Sequence, residues 1–78
     1  MTQNDMVLKY MQDFGSITPM EALNDLGVYR LASRISDLRA RGYKIETDNI
    51  YFENRYGKKS HYAKYVLNTD PVQTTLEV

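Results

Sequence analysis

The sequence has no cysteine and no tryptophan, only two prolines and a single histidine, and no net charge. Without cysteine there is neither a disulfide framework nor a thiolate metal site. His61 has no second histidine with which to share a metal, and Ser60 beside it points the other way along a strand. Neither a metal nor a cofactor is implied. Glu46 and Asp48 share a strand face, but no pocket-sized fold is expected around them to make them a general acid and base, so an enzyme is the least expected class. Long apolar runs are also absent: the longest are two or three residues, far short of the roughly 20 that cross a bilayer. The start, MTQNDMVLKY, has neither a basic n-region nor an apolar h-region, so a cytoplasmic protein is expected, with no membrane partner. What remains is a 78-residue chain, 42% hydrophobic, which suits one folded domain with a small core.

The absence of net charge conceals a pattern. Residues 1–27 carry Lys9 against Asp5, Asp13, Glu21 and Asp25, a net −3. Residues 28–67 carry Arg30, Arg34, Arg39, Arg41, Lys44, Arg55, Lys58, Lys59 and Lys64 against Asp37, Glu46, Asp48 and Glu53, a net +5. Asp70 and Glu77 then bring the sum to zero. A basic half on a small domain attracts phosphate backbones, although scattered ion pairs on a solvated face would produce the same count.

Periodicity divides the chain into elements. Val7, Tyr10, Met11 and Phe14 recur at helical spacing, which predicts a first helix from about Asn4 to Phe14 with Gly15 as its stop. The stretch TPME at 18–21 is a capping box with proline at the first helical position, opening a second, two-turn helix whose buried side is expected to be Ala22, Leu23 and Leu26. Leu31, Ile35 and Leu38 make the stripe of a third helix over 29–41. At about 100° per residue, the face opposite that stripe holds Tyr29, Ser33, Ser36, Asp37 and Ala40, with Arg30 beside it. Arg34 and Arg41 flank one edge of the stripe, Arg39 the other.

After Gly42 the period shortens to two in YKIET, IYFEN and HYAKYVL, which read as two or three antiparallel strands joined by a polar, glycine-containing hairpin tip, NRYGKKS. Ile45, Phe52, Tyr65 and Leu67 are the expected inward residues. The domain is thus expected over 1–67, and 68–78 as a flexible C-terminal tail.

Two helices joined by a short glycine-containing turn form a helix-turn-helix, and a helix about 10–12 Å wide fits the major groove of DNA. Its exposed side needs short polar groups near base edges and longer cations toward the phosphates, which is the layout of helix 3. The stretches SITPMEAL, LG, RLASRISDLRARGYKI and GKKSHYAKYVL, over roughly residues 4–67, resemble the small winged helix-turn-helix family common among bacteriophage and prophage proteins. The resemblance implies an α+β winged helix-turn-helix fold, with a three-helix core followed by a two- or three-stranded antiparallel β-wing. It also implies a DNA-binding role in transcription regulation or other DNA transactions, with helix 3 as the recognition helix.

On this reading Tyr29, Arg30 and Ser33 meet base edges, Arg34 and Arg41 meet phosphates, and Asp37 orients an arginine, while Arg55, Lys58 and Lys59 at the hairpin tip lie on the backbone. The alternative is a protein-interaction module of the same fold, which binds and inhibits a host complex through its tyrosine-rich wing. A pI near 6.5 favours it. The residues do not decide between a monomer and a homodimer.

Overall fold

Residues 1–68 are described by the computed structural model, so the expected tail from 69 onward lies outside the described residues. The chain opens with α1 (Gln3–Phe14), which starts where it does because Thr2 and Asp5 satisfy each other's amides. Asp5 N donates to Thr2 Oγ1 at 3.1 Å and Thr2 N donates to Asp5 Oδ2 at 3.2 Å. Hydrogen bonding of the carboxyl to Thr2, to its amide foremost and to its side chain next, holds Asp5 below its ordinary range. Gly15 ends the helix at φ 88°, a left-handed conformation that glycine adopts without a Cβ penalty, and its N–H reaches Met11 O at 2.7 Å.

Val7 and Met11 are buried as the spacing requires, but Phe14 is 70% exposed, contrary to expectation. The glycine turn carries the chain back into the core, so Ile17 takes the buried place and the Phe14 ring rests on Tyr10 at 4.7 Å. The Tyr10 hydroxyl donates to Asp25 Oδ2 at 2.7 Å, tying α1 to the segment after it. That bond to a carboxylate pushes the phenol up from 10.0 to about 12. Because the folded value is raised, the stabilisation is complete below the unfolded value of 10.0 and is lost as pH rises through about 12. Replacing Tyr10 by phenylalanine should therefore lower stability at neutral pH and remove the last tyrosine step from a spectrophotometric alkaline titration. An unchanged last step would show that the bond is not made in solution.

Ser16–Ile17 form the short strand β1, and Thr18 then caps α2. The capping box predicted from TPME is present: Glu21 N donates to Thr18 Oγ1 at 3.2 Å and Thr18 N to Glu21 Oε1 at 2.9 Å. An α-helical turn, Pro19–Glu21, continues into a wider π-helical segment, Ala22–Leu26. Ala22 is buried and Leu26 half-buried, whereas Leu23 is 39% exposed. At about 100° per residue, Ala22 and Leu26 lie within about 40° of each other and Leu23 falls well to one side. Val28, just past Gly27, is buried instead, its N–H bonded to Ala22 O at 3.0 Å.

The third helix, α3 (Leu31–Ala40), is shorter at its start than its periodicity suggests, because Arg30 takes the non-helical φ −109°, ψ 62° and leaves Tyr29 in the turn. Leu31, Ile35 and Leu38 are buried against α1 and the base of the sheet. Two nine-residue strands follow, β2 (Ile45–Glu53) and β3 (Lys59–Leu67), paired without a bulge from Ile45↔Leu67 to Glu53↔Lys59. Strand β1 pairs with the other edge of β3 at Ser16↔Val66 and Ile17↔Tyr65, giving the order β1-β3-β2.

Only the base of the hairpin joins the core, through buried Ile45 and half-buried Tyr65 and Leu67. Phe52, expected inward with them, is 46% exposed on the opposite face. It lies an odd number of residues from Ile45, and side chains alternate faces with a period of two. Nine residues at about 3.4 Å each make an arm about 30 Å long. At its tip, Asn54 Oδ1 accepts from Tyr56 N at 2.9 Å and Lys58 N at 3.1 Å, while Gly57 turns at φ 79°.

Candidate nucleic-acid interface

Packing sorts the exposed side of α3 by position around the helix. Stepping about 100° per residue away from the buried stripe, Arg39 and Ala32 come first and Ser36 next. Ala40 and Ser33 lie opposite the stripe, and Asp37, Arg41 and Arg34 follow on the far flank. This last group faces α1. Asn4 Nδ2 donates to Asp37 Oδ2 at 3.2 Å and Arg34 Nη2 pairs with the same oxygen at 3.3 Å, with both side chains partly covered. Arg41 at the end of the helix acts electrostatically on Asp5. The open face is consequently a stripe of small side chains, Ala32, Ser36 and Ala40, which lets another surface approach the helix backbone closely.

The start of α3 is the most accessible part of this face. Tyr29 is 83% exposed, Arg30 is exposed, and no side chain caps the first turn. Uncapped first-turn N–H groups at the positive end of a helix attract anionic oxygens. A concavity of about 350 Å³ opens here, lined by Pro19, Tyr29, Arg30, Ala32, Ser33 and Tyr65. The second feature is the hairpin, at whose tip Arg55, Lys58 and Lys59 are exposed. A helix-turn-helix, a three-stranded sheet and a long hairpin with a basic tip thus meet in one domain.

The family model described as the winged helix-turn-helix domain matches residues 2–70. The chain belongs to that family. No curated protein and no solved structure matches it. In the winged helix-turn-helix frame, α2 and α3 form the helix-turn-helix and β2–β3 the wing, as the sequence resemblance implied.

The nine residues singled out from the sequence fall into three groups. Tyr29, Arg30 and Ser33 stand together at the start of α3; Arg34, Asp37 and Arg41 line its junction with α1; Arg55, Lys58 and Lys59 crowd the wing tip. Among the described residues, Arg30, Arg55, Lys58 and Lys59 make no ion pair and no side-chain hydrogen bond, so their charges are uncommitted. Arg34 is the reverse, turned along α3 onto Asp37 with its Nε buried and unpartnered. Pro19 and Tyr65, which complete the concavity, were not foreseen: they are 46 positions apart, and only the pairing of β1 with β3 brings them together. No group of side chains suited to hold a metal ion occurs among the described residues, and no helix there is long and apolar enough to cross a membrane.

Proposed function

We propose that this protein binds double-stranded DNA, with the start of α3 in the major groove and the wing on the adjacent backbone. The observation that carries the reading is the small-residue stripe of α3 in a domain whose uncommitted cations stand at the start of that helix, Arg30, and at the wing tip, Arg55, Lys58 and Lys59. Small side chains allow the helix to approach base edges, and unpaired cations release counterions on meeting phosphates. Tyr29, Arg30 and Ser33 are assigned to base edges. Arg41 is assigned to a phosphate, and Asp37 holds Arg34 so that the guanidinium lies along the α1–α3 junction. The resemblance to phage and prophage proteins supports a role in transcription regulation or another DNA transaction of a mobile element, which we assign to the cytoplasm.

Binding of the purified protein to labelled random duplex tests this. If Arg41, Arg55, Lys58 and Lys59 each neutralise one phosphate, log affinity should fall with log salt at a slope of about −3.6, or roughly 150-fold between about 50 and 200 mM. Arg30→Ala should relax sequence preference, whereas a wing variant should weaken all sequences alike.

One observation favours the alternative, a protein-interaction module directed at a host complex. A groove of about 520 Å³ between the first turn of α2 and the wing is lined by Pro19, Met20, Phe52 and Tyr62 with Thr18, Glu21 and His61. Its large side chains are exposed, Met20 at 65% and Phe52 at 46%. No duplex binding at low salt would move the assignment to this groove.

A further inference from the structure

The wing of this protein is a lightly supported arm. Residues 51–62 are all exposed; β1 pairs with β3 at Tyr65 and Val66, and the first turn of α2 faces Phe52, His61 and Tyr62 across an open groove. The direction of the arm is set largely at its root, and one side chain of α3 reaches that root. Arg39 Nε and Nη2 both donate to Ile45 O, at 3.0 and 2.7 Å, and Nη2 also donates to Thr47 Oγ1 at 2.9 Å.

The acceptor has no alternative partner within the sheet. Leu67 N donates to Gly15 O, so Leu67 turns its backbone groups away from β2, and Ile45 opposite it turns its own toward the open edge. That edge has no neighbouring strand among the described residues. The guanidinium fork thus takes the place that a further strand would occupy, and it does so from the last turn of the recognition helix.

We propose that Arg39 is a positioning residue for DNA binding, locking the angle between α3 and the wing so that helix and wing tip meet one duplex together. The inference rests on the proposed function for its consequence but not for its geometry. Over a lever of about 27 Å from Ile45 to Glu53, a rotation of about 10° at the root displaces the tip by about 5 Å, more than the spacing between a lysine and the phosphate it contacts. A fork held at two nitrogens resists such a rotation; the single ammonium of lysine does not.

The chain lacks cysteine, so Ser36→Cys and Tyr56→Cys provide unique sites for a spin-label pair spanning recognition helix and wing tip. In the absence of DNA, Arg39→Lys should broaden the distance distribution and shift it by several ångström, and Thr47→Val, which leaves every charge in place, should broaden it less. Unchanged distributions in both variants would overturn the proposal whether or not the protein binds DNA.

The second measurement is a binding cycle in unlabelled protein. Removing Lys58 and Lys59 should cost about 200-fold in the parent at about 50 mM salt. In an Arg39→Lys background the same removal should cost less than about 20-fold, because the tip is already misplaced. Equal costs in the two backgrounds would reduce Arg39 to a structural residue or an independent phosphate contact. If the parent protein does not bind duplex at all, the proposed function falls, while the distance distributions still decide the positioning role.

Discussion

Lys58→Ala combined with Lys59→Ala should lower affinity for random duplex DNA by about 200-fold at about 50 mM salt and only about 20-fold at about 200 mM. The magnitude follows from counterion release. Each phosphate contact makes log affinity fall with log salt by about 0.9, so relative to about 1 M salt one contact contributes about 15-fold at about 50 mM and about fourfold at about 200 mM. Two contacts square those factors, and the salt slope should flatten by about 1.8. Both lysines qualify because they are exposed and uncommitted, and because Asn54 and Gly57 hold the tip in one turn. Filter binding or anisotropy across a salt series reads the slope directly. An affinity loss without a change in slope would mean that the lysines support the wing but do not touch phosphate.

Leu38→Ala should have the largest effect on stability. Leu38 is fully buried, and its backbone carbonyl also accepts from Arg41 and Tyr43 where α3 turns into the wing. Deleting three carbons from such a site costs about 2 to 5 kcal/mol through lost transfer energy and the cavity left behind. In a domain of this size that lowers Tm by about 10 to 30 °C, and total stability is of the same order, so part of the population should be unfolded at about 37 °C. Phe14→Ala and Phe52→Ala, by contrast, remove larger rings from exposed positions and should shift Tm by only a few degrees. Thermal unfolding by circular dichroism separates the two cases. Comparable losses for Leu38 and Phe52 would mean that the wing packs against something this fold does not contain.

These contrasts mark where reading along the chain succeeds. Val7, Met11, Ala22, Leu31, Ile35, Leu38 and Ile45 are buried as their spacing demands, since helical and strand periodicities are properties of the backbone and need no partner to be read. Thr18 and Glu21 likewise mark the start of α2, because a capping box involves only four consecutive residues. Phe14, Leu23 and Phe52 were misplaced although their residue types suit a core. The first lost its place to the turn at Gly15. The second lies well to one side of Ala22 and Leu26, the two residues that fill the inward line of its short helix, and the third has the wrong parity within its strand.

Residue types, order and local spacing by themselves determined a helix-turn-helix followed by a hairpin, nine candidate contact residues and their separation into a helix set and a wing set. Tertiary packing decided which faces of those elements are covered and which stay open. α1 crosses one side of α3 and draws Asp37 and Arg34 into its junction, while the open edge of β2 leaves Ile45 O to Arg39. Tyr65, placed beside Pro19 by β1, completes the concavity at the start of α3. The Asn4–Asp37 bond, the open edge of β2 and the meeting of Pro19 with Tyr65 depend on groups from distant parts of the chain, and spacing along a sequence carries no information about which distant groups will meet; the Arg34–Asp37 pair, three residues apart, is local.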